Sequence, residues 1–109
     1  MTKVGEHITL DIIGTTKEYD PSLFEKVIHD IAKAAKVTII NISKHKFEPQ
    51  GVTIVALLSE SHISIHTWPE RGSAALDVFT CGDTNPEVAM MHMIEALKAR
   101  DYNLKCIKR

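Results

Sequence analysis

No stretch of this 109-residue chain is apolar for anything near the roughly 20 residues that a membrane-spanning helix needs. Met1–Leu10 also lacks the basic-then-apolar pattern of a secretory signal, so the expected location is cytoplasmic. Charge of one sign is missing too: Lys and Arg total 13 against 14 Asp and Glu, balanced in both halves of the chain. Without a basic stripe, neither nucleic acid nor an anionic membrane surface is an expected partner. Cysteine is scarce, with only Cys81 and Cys106 and no CxxC pair, which favours reduced thiols over a disulfide framework. Cys106 lies in the alternating segment "YNLKCI" and is expected to be a buried structural thiol. Repeats, linkers and low-complexity segments are absent, so residues 1–109 are expected to form one domain, small enough for a partner subunit to matter.

What is present is a series of short periodic segments. "HITLDII" puts Ile8, Leu10 and Ile12 on one strand face. Asp20-Pro21 reads as an N-cap and first helical position, followed by Leu23, Phe24, Val27, Ile28, Ile31 and Ala35 at helical spacing, for a helix over residues 21–36. "VTIINISKHKF" alternates as a strand, and the continuously apolar "VTIVALL" predicts a strand covered on both faces. "SES" separates it from "HISIH", "TWPERGS" makes the next turn, and "AALDVFT" is a further strand. Thr84 or Asn85 can cap a second helix starting at Pro86, with Val88, Met91, Ile94 and Leu97 along its apolar stripe, before the closing strand. The order β-α-β-β-β-β-α-β predicts an α+β two-layer sandwich: a mainly antiparallel sheet with two helices on one face.

The segment "LLSESHISIHTWPE" concentrates reactive side chains. His62 and His66 would be close on a helix, but "HISIH" has the strand period, and four residues of strand span roughly 13 Å, too far to share one ion. No metal is therefore expected. A hydrolytic triad of Ser61, a histidine and Asp77 or Glu70 is a second candidate, although Ser61 lacks a G-x-S-x-G setting. Taken singly, each of these residues has an ordinary reading: Ser61 as a turn residue, Phe47 and Trp68 as packing, Glu70 as a solvated carboxylate.

Taken together and in order, E-S-H, H-T-W-P-E and F-T-C-G within "GVTIVALLSESHISIHTWPERGSAALDVFTCGD" closely resemble the prokaryotic S-adenosylmethionine decarboxylases, and weaker similarity extends over nearly the whole chain. That resemblance implies a proenzyme that cuts itself between Glu60 and Ser61 into a β chain, 1–60, and an α chain, 61–109. Ser61 would become a pyruvoyl group, the self-made cofactor that forms a Schiff base with the substrate amine, with no pyridoxal phosphate and no metal. His66 would remove the Ser61 α-proton during processing, and Cys81 would be the general acid of decarboxylation. Phe47 would stack on adenine, Glu70 bind the ribose hydroxyls and Trp68 shape that wall, while His62 would orient Ser61. Thr53 stands where relatives commonly have a serine that assists processing; it keeps the hydroxyl and adds a stiffer χ1.

Strand geometry adds a further expectation. Ser61 and His66 would lie roughly 16 Å apart on one strand, so His66 should act on the serine of a second copy, in a homodimer whose sites straddle a two-fold axis. A hairpin across Thr67–Ser73 would bring Cys81 opposite Ser59, near Ser61 of its own chain. The implied activity is decarboxylation of S-adenosylmethionine to the aminopropyl donor for spermidine. Two alternatives stand beside it: a pyruvoyl-dependent arginine or ornithine decarboxylase on the same fold, and an uncleaved, non-enzymatic homologue that binds or regulates a partner.

Overall fold

The computed structural model describes residues 5–14, 21–81 and 86–109. Six strands and two helices follow in the expected order: β1 (Glu6–Ile13), α1 (Pro21–Ala35), β2 (Ile39–Lys46), β3 (Val52–Leu58), β4 (Ser61–Trp68), β5 (Ser73–Thr80), α2 (Pro86–Leu97) and β6 (Asp101–Lys108). The strands form one sheet in the order β2-β3-β4-β5-β1-β6, with every neighbouring pair antiparallel. This is the α+β two-layer architecture expected from the sequence. Among the described residues no helix is long and apolar enough to cross a membrane.

Period-two alternation builds the core. Ile8, Leu10 and Ile12 of β1, Ile54, Ala56 and Leu58 of β3, Ile63 and Ile65 of β4, and Leu76 and Val78 of β5 are all buried. Phe24, Val27, Ile28 and Ile31 of α1 close over them, as the helical spacing predicts. In α2 the buried stripe is Met90, Met93, Ile94 and Leu97, whereas Met91 is 49% exposed. The expected stripe was one position out of phase at Met91, and the side chain of Val88 lies outside the described set. The proposed caps Asp20, Thr84 and Asn85 also fall outside the described residues.

Two expectations need correction. Residues 52–58 are covered on one face only: Val55 and Leu57 are 44% and 51% exposed, because both helices lie on the other side of the sheet. Cys106 is exposed rather than buried, since β6 is an edge strand. Its alternation is real, with Cys106 opposite Ile8 and Leu104 opposite Leu10. Edge position removes the second wall that burial requires.

β1 lies between β5 and β6, so the first and last strands of the chain are neighbours, and Gly5 and Arg109 exchange backbone hydrogen bonds of 3.2 and 2.9 Å beyond the ladder. The core is closed by α1, and Phe24 is its largest fully buried side chain among the described residues. Phe24→Ala should therefore cost about 3–5 kcal/mol in urea unfolding, against within about 0.5 kcal/mol for Ile40→Ala on the exposed β2 edge.

Candidate active site

The uncovered face of the sheet carries the polar partners of the alternation: Thr53 on β3, His62, Ser64, His66 and Trp68 on β4, Asp77 on β5, and His7 on β1. Three groups of side chains sit on this face or at its ends.

The first is the turn between β3 and β4. Ser59 is tied to Thr38, the residue before β2: its backbone N–H donates to the Thr38 carbonyl at 2.9 Å, and its Oγ accepts from the Thr38 N–H at 3.2 Å. With Ser59 held, Glu60 completes the reversal at φ +65°, a left-handed conformation that costs a side chain other than glycine about 1–2 kcal/mol. The Cys81 thiol donates to the carbonyl oxygen of Glu60 at 3.0 Å. The β4–β5 register pairs His62 with Phe79, which sets Cys81 level with Glu60, one residue from the expected Ser59. Ser61, the next residue, is half-buried, and its Oγ lies 3.5 Å from the Ser59 carbonyl. No imidazole bonds to it among the described residues, so the hydrolytic triad is not assembled.

The second group lies at the other end of β4. A cleft of about 290 Å³ is lined by Phe47, Gln50, Thr53, His66, Trp68 and Glu70. Thr53 Oγ1 and His66 Nδ1 are 3.1 Å apart, cross-strand partners in the β3–β4 ladder. The His66 ring stacks near Trp68, with centroids 6.3 Å apart. Thr67, buried beneath, accepts the Val52 N–H at 2.9 Å and fixes where β3 begins. At Gly51, φ is +102° and a Cβ would press within 3.2 Å of the Thr67 carbonyl, so the loop can close against β4 only with glycine there.

Five predicted residues, Phe47, Thr53, His66, Trp68 and Glu70, thus share one cleft, and Glu60, Ser61 and Cys81 share the turn. The two groups are not joined. Ser61 and His66 are five residues apart on one strand, roughly 16 Å. An odd separation also puts them on opposite faces of that strand.

The third group was not foreseen. His7 Nε2 and His62 Nε2 approach the same Asp77 oxygen, Oδ2, at 2.5 and 3.0 Å, while the Ser64 hydroxyl donates to Oδ1. Burial pushes the Asp77 pKa up, but the hydrogen bonds from Ser64, His7 and His62 and the charge of His62 outweigh it and hold the carboxyl below its ordinary value of 3.8. An acid in the otherwise apolar "AALDVFT" was the available signal; the register that gathers its partners was not readable. His62 therefore faces Asp77, and its expected orienting contact with Ser61 is not made.

The strain at Glu60 is testable with Ser61→Ala as background to keep the chain intact. Glu60→Gly should leave thermal stability unchanged or higher, while Glu60→Val, β-branched at positive φ, should lower it by at least about 1 kcal/mol.

Comparison with known proteins adds independent findings. A family model described as S-adenosylmethionine decarboxylase matches residues 6–109. The S-adenosylmethionine decarboxylase proenzyme of Synechococcus sp. (strain WH7803) is 50% identical over 109 residues, covering 97% of this chain and 85% of that protein. The proenzyme of the same name from Methanococcus maripaludis (strain C7) is 48% identical over 109 residues, covering 93% of this chain and 89% of the relative. Among solved structures, the adenosylmethionine decarboxylase from Aquifex aeolicus VF5 superposes with a TM-score of 0.90 at 35% identity, covering 100% of this chain and 92% of that one.

Proposed function

This chain belongs to the S-adenosylmethionine decarboxylase family, and we propose that it is a proenzyme that cuts itself between Glu60 and Ser61 and then decarboxylates S-adenosylmethionine by means of the pyruvoyl group so formed. The observation that carries the reading is the thiol of Cys81 held on the Glu60 carbonyl at a left-handed turn directly before Ser61.

In processing, Ser61 Oγ attacks the Glu60 carbonyl carbon. The carbonyl oxygen takes up negative charge, and the Cys81 S–H, already 3.0 Å away, donates to it. The C–N bond then breaks, the Ser61 nitrogen is protonated, and an ester joins Glu60 to Ser61 Oγ. His66 removes the Ser61 α-proton; the Cβ–Oγ bond breaks and Glu60 departs as a carboxylate. The dehydroalanine left at position 61 tautomerises and hydrolyses, releasing ammonia. The strain at Glu60 relaxes when its peptide bond is cut, which favours cleavage over religation.

The pyruvoyl group supplies the carbonyl electron sink that carbon dioxide loss requires. Ser61 and Cys81 fit that group: the converted residue remains beside a thiol able to return a proton to the product. The cleft at the far end of β4 has an aromatic wall for a purine in Phe47 and Trp68 and a carboxylate for ribose hydroxyls in Glu70. A purine and a ribose use the aromatic wall and the carboxylate together, whereas ornithine has no planar group to stack there.

Because cleft and turn lie at opposite ends of one strand, each site is completed by a second copy, with Ser61 and Cys81 from one protomer and Phe47, Thr53, His66 and Glu70 from its partner. The exposed Val55 and Leu57 on the helix-free face support a partner seated there. Thr53, bonded to His66, is a positioning residue for the imidazole.

On a denaturing gel the purified protein should give fragments 1–60 and 61–109, with the second blocked at its N-terminus by the pyruvoyl group. A full-length band stable for days would favour the uncleaved partner instead. Carbon dioxide release from adenosylmethionine, and not from arginine or ornithine, is expected; the reverse pattern overturns the substrate. Cys81→Ala in processed protein should lower turnover about 10²–10⁴-fold. Mixing Ser61→Ala with His66→Ala chains should restore cleavage of the His66→Ala chain, and failure to do so would exclude assembly between copies.

A further inference from the structure

His7, His62 and Asp77 have no part in the chemistry above, yet they converge on one carboxylate oxygen. Register is the cause. Phe79 on β5 is paired with His7 of β1 on one side and with His62 of β4 on the other, so the two histidines flank one position symmetrically. Asp77 lies two residues before Phe79 on the same face. Both imidazoles turn Nε2 toward it, and one ligand atom from each of the three residues lies within 4.8 Å of the others.

From this geometry we infer a transition-metal site formed by His7 Nε2, His62 Nε2 and the Asp77 carboxylate, taking a divalent ion of the zinc or cobalt class.

The donor set argues for the class. Two imidazoles and one carboxylate suit zinc, cobalt, nickel or ferrous ions, whereas magnesium and calcium prefer oxygen donors throughout. Distances agree after a small adjustment. Bonds of about 2.0–2.2 Å in tetrahedral geometry separate ligand atoms by roughly 3.3–3.5 Å. The Nε2–Oδ2 separations of 2.5 and 3.0 Å need to open by about 1 Å or less. Side-chain rotation allows that, because the His62 side chain is 42% exposed and that of His7 23%. In the absence of an ion, each Nε2 must carry a hydrogen to bond with Asp77; binding moves that hydrogen to Nδ1 and leaves both Nε2 lone pairs for the ion.

Support beyond the ligands is also present. Ser64 holds Asp77 through Oδ1 and leaves Oδ2 to the imidazoles, the orienting contact that ligating carboxylates usually have. A cleft of about 330 Å³ lined by His7, Thr9, Asp11, Ser64, His66 and Asp77 opens on the same face and leaves room for water as a fourth ligand. His66 cannot be that ligand to a His62-bound ion, as four residues of strand separate them by roughly 13 Å.

The site ties β1 to β4 and β5. On the cleavage reading, that is a cross-link between the 1–60 and 61–109 pieces, but metal binding itself does not depend on cleavage.

The test uses untagged full chain stripped with chelator and titrated with Co²⁺ and Zn²⁺. One ion per chain is expected, with a rise in melting temperature and visible Co²⁺ bands of nitrogen and oxygen ligation. His7→Gln and Asp77→Asn should each weaken binding at least 10-fold and remove the thermal shift, while His29→Gln and His92→Gln, on the helix layer, change neither. Both ligand variants must first show a cooperative melt; if one fails to fold, His62→Gln takes its place in the same comparison. No binding by 1 mM, equal binding in wild type and ligand variants, or a thiolate-to-Co²⁺ band from Cys81 or Cys106 would each overturn the site. Ser61→Ala separates this result from the function proposed above: metal binding should persist in that uncleaved chain.

Discussion

The molecule depends on a sheet covered by helices on one face only. In β4 the alternation is at its clearest: Ile63, Ile65 and Thr67 point into the core, and His62, Ser64, His66 and Trp68 point away from it. The first set supplies the apolar area that holds the fold together. The second set is thereby fixed in spacing and direction, since a one-residue slip of β4 would bury three polar residues and expose two isoleucines. The outward side chains of β4 are held in place by the core because they are the reverse side of it.

The same constraint separates the chemistry. A strand is an extended ruler, and β4 holds the turn at Glu60–Ser61 at one end and the aromatic cleft at the other. At the turn, strain and polarisation coincide, because Glu60 bears the left-handed backbone and its carbonyl receives the Cys81 thiol. At the cleft, Thr53 orients His66 across the β3–β4 ladder. Two groups of candidate residues thus lie at opposite ends of one strand, and Val55 and Leu57 are exposed on the face that carries the cleft.

Much of this was legible in the sequence because it is local. Strand and helix periods gave the element order, and Phe24 and its helical neighbours were identifiable as core from spacing alone. What failed was whatever depends on the rest of the sheet. Continuous apolarity in "VTIVALL" suggested two covering layers, but periodicity cannot say whether the second layer belongs to the same chain. Cys106 has the right alternation in a strand that turns out to be an edge. Cys81 was placed within one residue of its contact because hairpin register follows from turn length. The His7–Asp77–His62 cluster was out of reach, since it depends on β1 inserting beside β5, a pairing between residues 70 apart.

The strand order has one further consequence. Divided at Glu60–Ser61, the chain contributes β1, β2 and β3 from its first part and β4, β5 and β6 from its second, yet in the sheet these are interleaved, with β1 lodged between β5 and β6. Pulling the parts asunder means opening three ladders, β3–β4, β5–β1 and β1–β6. A severed backbone would therefore go almost unnoticed by the folded molecule. Its effect appears only after complete unfolding, when refolding becomes an encounter between two strangers, slowed by dilution, in place of one chain closing on itself. On the proposed cleavage, a chain so woven would have to fold before it cuts, and its persistence afterwards would be a matter of how slowly it unravels.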